Sequence, residues 1–173
     1  EIVIPYNVTN ISYGAFEGCT GLTSVTIGNN VTTIGNYAFY SCSSLSRIEI
    51  PSSVTVMRDT FSECTSLTTA PEIPSSVKNM EYTFSGCTNL TTAPELPATT
   101  LVDNCYQYMF RDCTSLTTAP ELPATTLADE CYSVMFQGCT SLSNAPDFPK
   151  LFASLWYNQP YQPGHEVNAQ QDP

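Results

Sequence analysis

The chain has 173 residues, enough for one domain with a sizeable core, and its net charge of −11 includes only five basic residues: Arg47, Arg58, Lys78, Arg111 and Lys150. That balance repels a phosphate backbone and an anionic lipid surface, which argues against nucleic acid and membrane surfaces as partners. No apolar run approaches the roughly 20 residues needed to span a bilayer, and the abundance of Thr and Ser over charged residues suits hydroxyl ladders on an extended β-rich surface.

The chain opens on Glu1-Ile2-Val3-Ile4-Pro5, which matches Arg47-Ile48-Glu49-Ile50-Pro51 and so reads as the strand end of a unit in a longer array. From there three positions recur six times. Cys19, Cys42, Cys64, Cys87, Cys113 and Cys139 are spaced by 23, 22, 23, 26 and 26 residues. Each has a Phe three residues before it (Phe16, Phe39, Phe61, Phe84, Phe110, Phe136) and a Leu three residues after it (Leu22, Leu45, Leu67, Leu90, Leu116, Leu142). Fixed columns at this period are the signature of a stacked repeat array.

Within a unit, Asn36 to Cys42 suits a single helical or 3₁₀ turn that buries Phe and Cys together. Leu45-Ser46-Arg47-Ile48-Glu49-Ile50 alternates like a half-buried strand, and Pro51 to Val56 turns the chain into a second short extended piece. Such units bury their apolar faces only against one another, with parallel strands about 4.8 Å apart. From the third unit on, Ala70-Pro71, Ala93-Pro94, Ala119-Pro120 and Ala145-Pro146 replace the strand residues. Proline lacks the N–H a ladder needs, so the sheet is expected to stop near this column. The last two full units gain three residues. Cys105 and Cys131 are expected in the apolar slot that Ile11 and Ile34 fill earlier, with the insertion bulging from one face. The array is read as residues 1–148, beginning mid-repeat, with an apolar cap over 149–157 and a loosely ordered Pro/Gln/Asn-rich tail over 158–173.

Val31-Thr32-Thr33-Ile34-Gly35-Asn36-Tyr37-Ala38-Phe39-Tyr40-Ser41-Cys42 and the later Met109-Phe110-Arg111-Asp112-Cys113-Thr114-Ser115-Leu116 resemble the BspA-like class of bacterial leucine-rich repeats. The resemblance covers about residues 2–148. It implies a leucine-rich repeat solenoid of α+β class, mostly short parallel strands with single helical or 3₁₀ turns, in a right-handed stack of about six repeats. It also implies a secreted or cell-surface protein that adheres to host or bacterial protein or glycan, with no shared catalytic site.

Four columns are candidates for function. The cysteines read as buried free thiols, because parallel Cα–Cβ vectors about 4.8 Å apart do not converge to the roughly 3.5–4.5 Å Cβ separation of a disulfide. With one His (His165) and no C-x-x-C pair, zinc-ligand spacing is absent. Glu72, Glu95, Glu121 and Asp147 lie eight residues after their cysteines, and Glu49 seven after. Unit charges about 5 Å apart repel by roughly 0.8 kcal/mol in water and about 3 kcal/mol near a protein surface. Such a strip either takes Ca²⁺ or a basic protein partner, or splays into water beyond the sheet-ending prolines, and the proline placement favours water.

Thr23, Ser46, Thr68, Thr91, Thr117 and Ser143 form one hydroxyl column, and Ser24, Arg47, Thr69, Thr92, Thr118 and Asn144 the next. One of the two should face outward and could contact glycan, protein or ice; the plainer reading is a cross-strand ladder. Tyr13, Tyr37, Tyr82, Tyr106, Tyr108 and Tyr132 gather before the Phe column as packing or contact surface. There is no G-x-S-x-G, no H-E-x-x-H and no glycine-rich phosphate loop, so an enzyme is not expected. The contact strip is assigned to Thr69, Thr92, Thr118, Glu72, Glu95, Glu121 and Asp147. A spacer, stalk or fibre subunit that self-associates end to end is the competing reading.

Overall fold

The computed structural model describes residues 1–143, so Asp147, the expected cap over 149–157 and the tail with His165 lie outside the described residues. Alternation builds the first wall. β1 (Ile2–Ile4), β3 (Ser24–Ile27) and β5 (Arg47–Ile48) pair in parallel in the order β1-β3-β5, with Ile2 opposite Val25, Ile4 opposite Ile27, and Val25 opposite Ile48. Val25 and Ile27 point into the core and Thr26 points out. The column resumes as single parallel pairings, Thr69 with Thr92 and Thr92 with Thr118. A second wall pairs β2 (Asn10–Ile11) with β4 (Thr33–Ile34) and continues through Thr33 with Val56 and Thr100 with Thr126.

The third wall differs from the expected helical turn: no helix, α or 3₁₀, occurs among the described residues. Two features exclude it. Residues two before and two after each Phe hold a left-handed backbone, as at Gly14 (φ 59°) and Gly18 (φ 67°), which an L-residue helix does not tolerate. The N–H groups also split by parity. Ala15, Glu17 and Cys19 close turns onto the Ser12, Gly14 and Phe16 carbonyls three residues back, whereas Gly14, Phe16 and Gly18 donate across to the Asn36, Ala38 and Tyr40 carbonyls of the next unit. Linked β-turns therefore take the helix's place, and half of their N–H groups join neighbouring units. The α part of the expected α+β class is absent here.

The insertion lengthens this wall. Between the fifth and sixth units the N–H groups of Asn104, Tyr106, Tyr108, Phe110 and Asp112 donate to Asp129, Cys131, Ser133, Met135 and Gln137. It also moves the expected slots. Leu101 donates its N–H to the Thr126 carbonyl, as Ile34 does to Val56, so Leu101 is the counterpart of Ile34. Cys105 and Cys131 lie in the added turn instead, buried there because the extra residues come after the second strand.

The core runs down the middle of the stack. Consecutive rings of Phe16, Phe39, Phe61, Phe84, Phe110 and Phe136 stack with centroids 5.2–5.9 Å apart and planes within 16° of parallel. Phe39, Phe61, Phe84 and Phe110 are fully buried, each worth about 1.5–3 kcal/mol. Phe16 and Phe136, at the ends of the row, are half-buried.

All eight cysteines are free thiols, and the core ones have a specific task. Cys42, Cys64, Cys87, Cys113 and Cys139 each direct Sγ at the carbonyl of the preceding unit's Phe, at 3.0–3.2 Å. The thiol thus caps a carbonyl that a methyl group of the same size would leave without that donor. Cys19 departs from the expected core set. It is exposed.

Candidate functional site

On the first wall the two hydroxyl columns separate by what they bond. Ser46, Thr91, Thr117 and Ser143 are exposed, yet their hydroxyls donate to the carbonyls of Thr23, Thr68, Thr91 and Thr117 in the preceding units. That column caps the backbone. Thr69, Thr92 and Thr118 are also exposed; they pair only through their main chains, and their hydroxyls make no hydrogen bond among the described residues. Stacking holds these donors in a row with a repeat of about 4.8 Å.

The prolines position the carboxylates beside them. In the first two units Val25 and Ile27 face inward on either side of Thr26. Later, Pro71 and Pro94 turn inward at the position of Thr26, and Ile73, Leu96 and Leu122 follow two residues on. The alternation slips by one residue, because a proline without N–H cannot hold the ladder's phase. Glu72, Glu95 and Glu121 consequently occupy the position of buried Ile27 but lie exposed. They form no ion pair among the described residues. Glu49 does not belong with them: it binds Arg47 at 2.8 Å, both side chains well exposed.

Among the described residues no three His, Cys, Asp or Glu side chains gather closely enough to hold a metal ion, whereas Ca²⁺ requires about 6–8 oxygens.

The turn wall carries the tyrosines. Tyr106 and Tyr132 are buried and stacked, centroids 5.6 Å apart, and belong to the core of the added turn. Tyr82 and Tyr108 stack at 4.5 Å, with the Arg111 guanidinium 5.8 Å from the Tyr108 ring and 3.3 Å from Asp112. Stacked rings cover one another's faces and present edges and hydroxyls, which makes this pair a poor platform for the flat side of a sugar. Tyr37, Tyr82 and Tyr108 hold φ of 60°, 55° and 55°, a conformation that costs an L-residue about 1–2 kcal/mol. Ring packing and the cross-unit bonds of Tyr82 and Tyr108 offset it.

Sequence reasoning missed a polar cluster on the same wall. Arg58 lies 3.4 Å from Asp59 and 3.0 Å from Glu81, and both carboxylates are buried. Burial pushes the Asp59 carboxyl up to about 6; Arg58 opposes this and Glu81 adds to it. The signal was present: Arg58-Asp59 brings charge into columns otherwise filled by Tyr13, Asn36, Gln107 and Ser133 and by Gly14, Tyr37, Tyr82, Tyr108 and Val134, and Glu81 follows one period later. The core thiols are held protonated by burial, Cys42 pushed up to about 11 and Cys139 to about 12, so they are weak nucleophiles. No helix among the described residues is long and apolar enough to cross a membrane.

A family model described as BspA type Leucine rich repeat region matches residues 1–117 and 69–153, with six copies. A leucine-rich repeat protein from Bacteroides ovatus superposes with a TM-score of 0.62 at 27% identity, over 86% of this chain and 45% of that one. The T. pallidum leucine rich repeat protein gives 0.68 at 28%, over 86% and 69%. A leucine rich cell surface protein from Faecalibacterium prausnitzii gives 0.50 at 26%, over 83% and 46%. The chain thus spans less than half the length of the first and third of these proteins. No curated protein matches it.

Proposed function

Because the chain belongs to the BspA type of leucine-rich repeats, we propose that it is a non-enzymatic binding module of a secreted or cell-surface bacterial protein, adhering to a host or microbial protein or glycan. The contact strip is the first wall: Thr69, Thr92 and Thr118 with Glu72, Glu95 and Glu121, continued in sequence by Asp147. The observation that carries this reading is the row of Thr69, Thr92 and Thr118 hydroxyls left without partners beside a column in which Ser46, Thr91, Thr117 and Ser143 cap backbone carbonyls. Its likeness to a protein described as a leucine rich cell surface protein supports the location. The test is binding to arrays of extracellular-matrix proteins and glycans by the chain and by a Thr69→Val/Thr92→Val/Thr118→Val variant, which keeps strand shape and removes the hydroxyls. A bound component lost in the variant upholds the reading; undiminished binding refutes the assignment of the face.

A spacer, stalk or fibre subunit without its own ligand is the second reading. It is favoured by the regularity of the backbone-capping column. Binding to no component, together with concentration-dependent association in sedimentation, would select it.

A further inference from the structure

We propose that the first wall of the third to fifth units docks a protein surface bearing a row of lysine or arginine side chains. This rests on the binding-face reading above and narrows the partner from any macromolecule to a cationic protein.

The argument is the charge inventory of one unpartnered sheet face. Glu72, Glu95 and Glu121 stand on it without counter-ions. The cations of the described residues are engaged or lie elsewhere. Arg47 is held by Glu49, Arg58 by Asp59 and Glu81, and Arg111 by Asp112 on the turn wall. Lys78 is on the second wall, where its N–H donates to the Thr55 carbonyl. The carboxylates therefore repel one another, with no counter-charge among the described residues to relieve them.

A neutral glycan would use the threonine hydroxyls and leave that repulsion in place, and a sulfated or sialylated one would add to it. A cationic protein removes it. Its ammonium or guanidinium groups reach the carboxylates while neighbouring polar groups meet the Thr69, Thr92 and Thr118 hydroxyls. The surplus negative charge of the whole chain steers such a partner in and speeds its association.

The probe is an extended peptide of alternating lysine and threonine, with a glutamate–threonine peptide and a neutral glycan array as comparisons. The full chain is expected to bind the first peptide and not the second, with affinity falling steeply between about 0.05 and about 0.5 M salt. Glu72→Gln/Glu95→Gln/Glu121→Gln is expected to weaken binding about tenfold or more. Asp103→Asn/Asp129→Asn/Glu130→Gln removes the same charge beside the added turn and is expected to change it less than about threefold. All six side chains are exposed, so both variants are expected to fold, and thermal melts check this.

Equal losses in the two variants would overturn the inference, because overall charge and not this face would then drive binding. No binding of the lysine peptide, together with glycan binding abolished by the threonine-to-valine variant, would overturn the cationic partner and leave the binding face standing. Failure of every probe would count against both.

Discussion

The first two units and the later ones solve the same packing problem in different ways. Early on, Val25, Ile27 and Ile48 build a true parallel sheet, with outward positions that vary from Ser24 to Arg47. Later, proline cuts the sheet to single pairings at Thr69, Thr92 and Thr118, and the core is held by the Phe row, the thiol bonds and a turn wall that grows longer. One proline column shifts the alternation by a residue, and a position that was core becomes a row of exposed carboxylates. The surrendered strand leaves a regular polar face, while the central stack still provides cohesion.

The largest test of that division is the Phe row. Phe84→Ala should cost about 3–5 kcal/mol in denaturant unfolding, and Phe16→Ala, at a half-buried end, clearly less. Equal losses would mean that the stack does not carry the later units. Next comes the proline itself. Thr26→Pro transplants the later residue into β3 and should lower stability by roughly 1–3 kcal/mol through lost ladder bonding. Pro94→Thr in the later region should change it by less than about 1 kcal/mol, and similar costs at both sites would erase the contrast.

The Arg58 cluster gives a smaller, pH-dependent effect at the boundary between the two regions. The Asp59 carboxyl is raised from 3.8 to about 6 in the folded state, so between those values the folded protein binds more protons than the unfolded one. Stability should therefore rise by roughly 1–2 kcal/mol as pH falls from about 7 toward 4, and Asp59→Asn should flatten that rise. Melts that lose stability over this range in wild type and variant alike would refute the assignment. In the thiol column, native Cys19 should react with a thiol reagent while the buried cysteines stay protected until unfolding. Smallest of all, Ca²⁺ should produce no binding heat and no melting shift, and a saturable isotherm would restore the metal reading.

The core was legible in the sequence because Phe, Cys and Leu recur at spacings that only a stack explains. The turn wall was not, because Phe-x-x-Cys fits a helical turn equally well and an L-residue such as Tyr82 or Asp59 does not announce a left-handed backbone. Gly14, Gly18, Gly86 and Gly138 marked the places where that conformation recurs. The thiol's role stayed hidden because Cys packs as a small hydrophobe whether or not it donates to a carbonyl. Of the candidate face, alternation led to one outward threonine column, whereas both are exposed, because Thr68, Thr91 and Thr117 precede the strand pairing instead of lying within it. Which column keeps its hydroxyls free depends on where the neighbouring carbonyl lies, and only the stacked geometry supplies that.

The most direct test of the central claim compares the two faces in one adhesion experiment. Beads coated with the chain, with Thr69→Val/Thr92→Val/Thr118→Val, or with the turn-wall variant Tyr82→Phe/Tyr108→Phe are laid on the array component that the chain binds. The account predicts that the threonine variant detaches under shear while the tyrosine variant holds as the parent does. Detachment of the tyrosine variant with the threonine variant unaffected would contradict it and move the binding face to the turn wall.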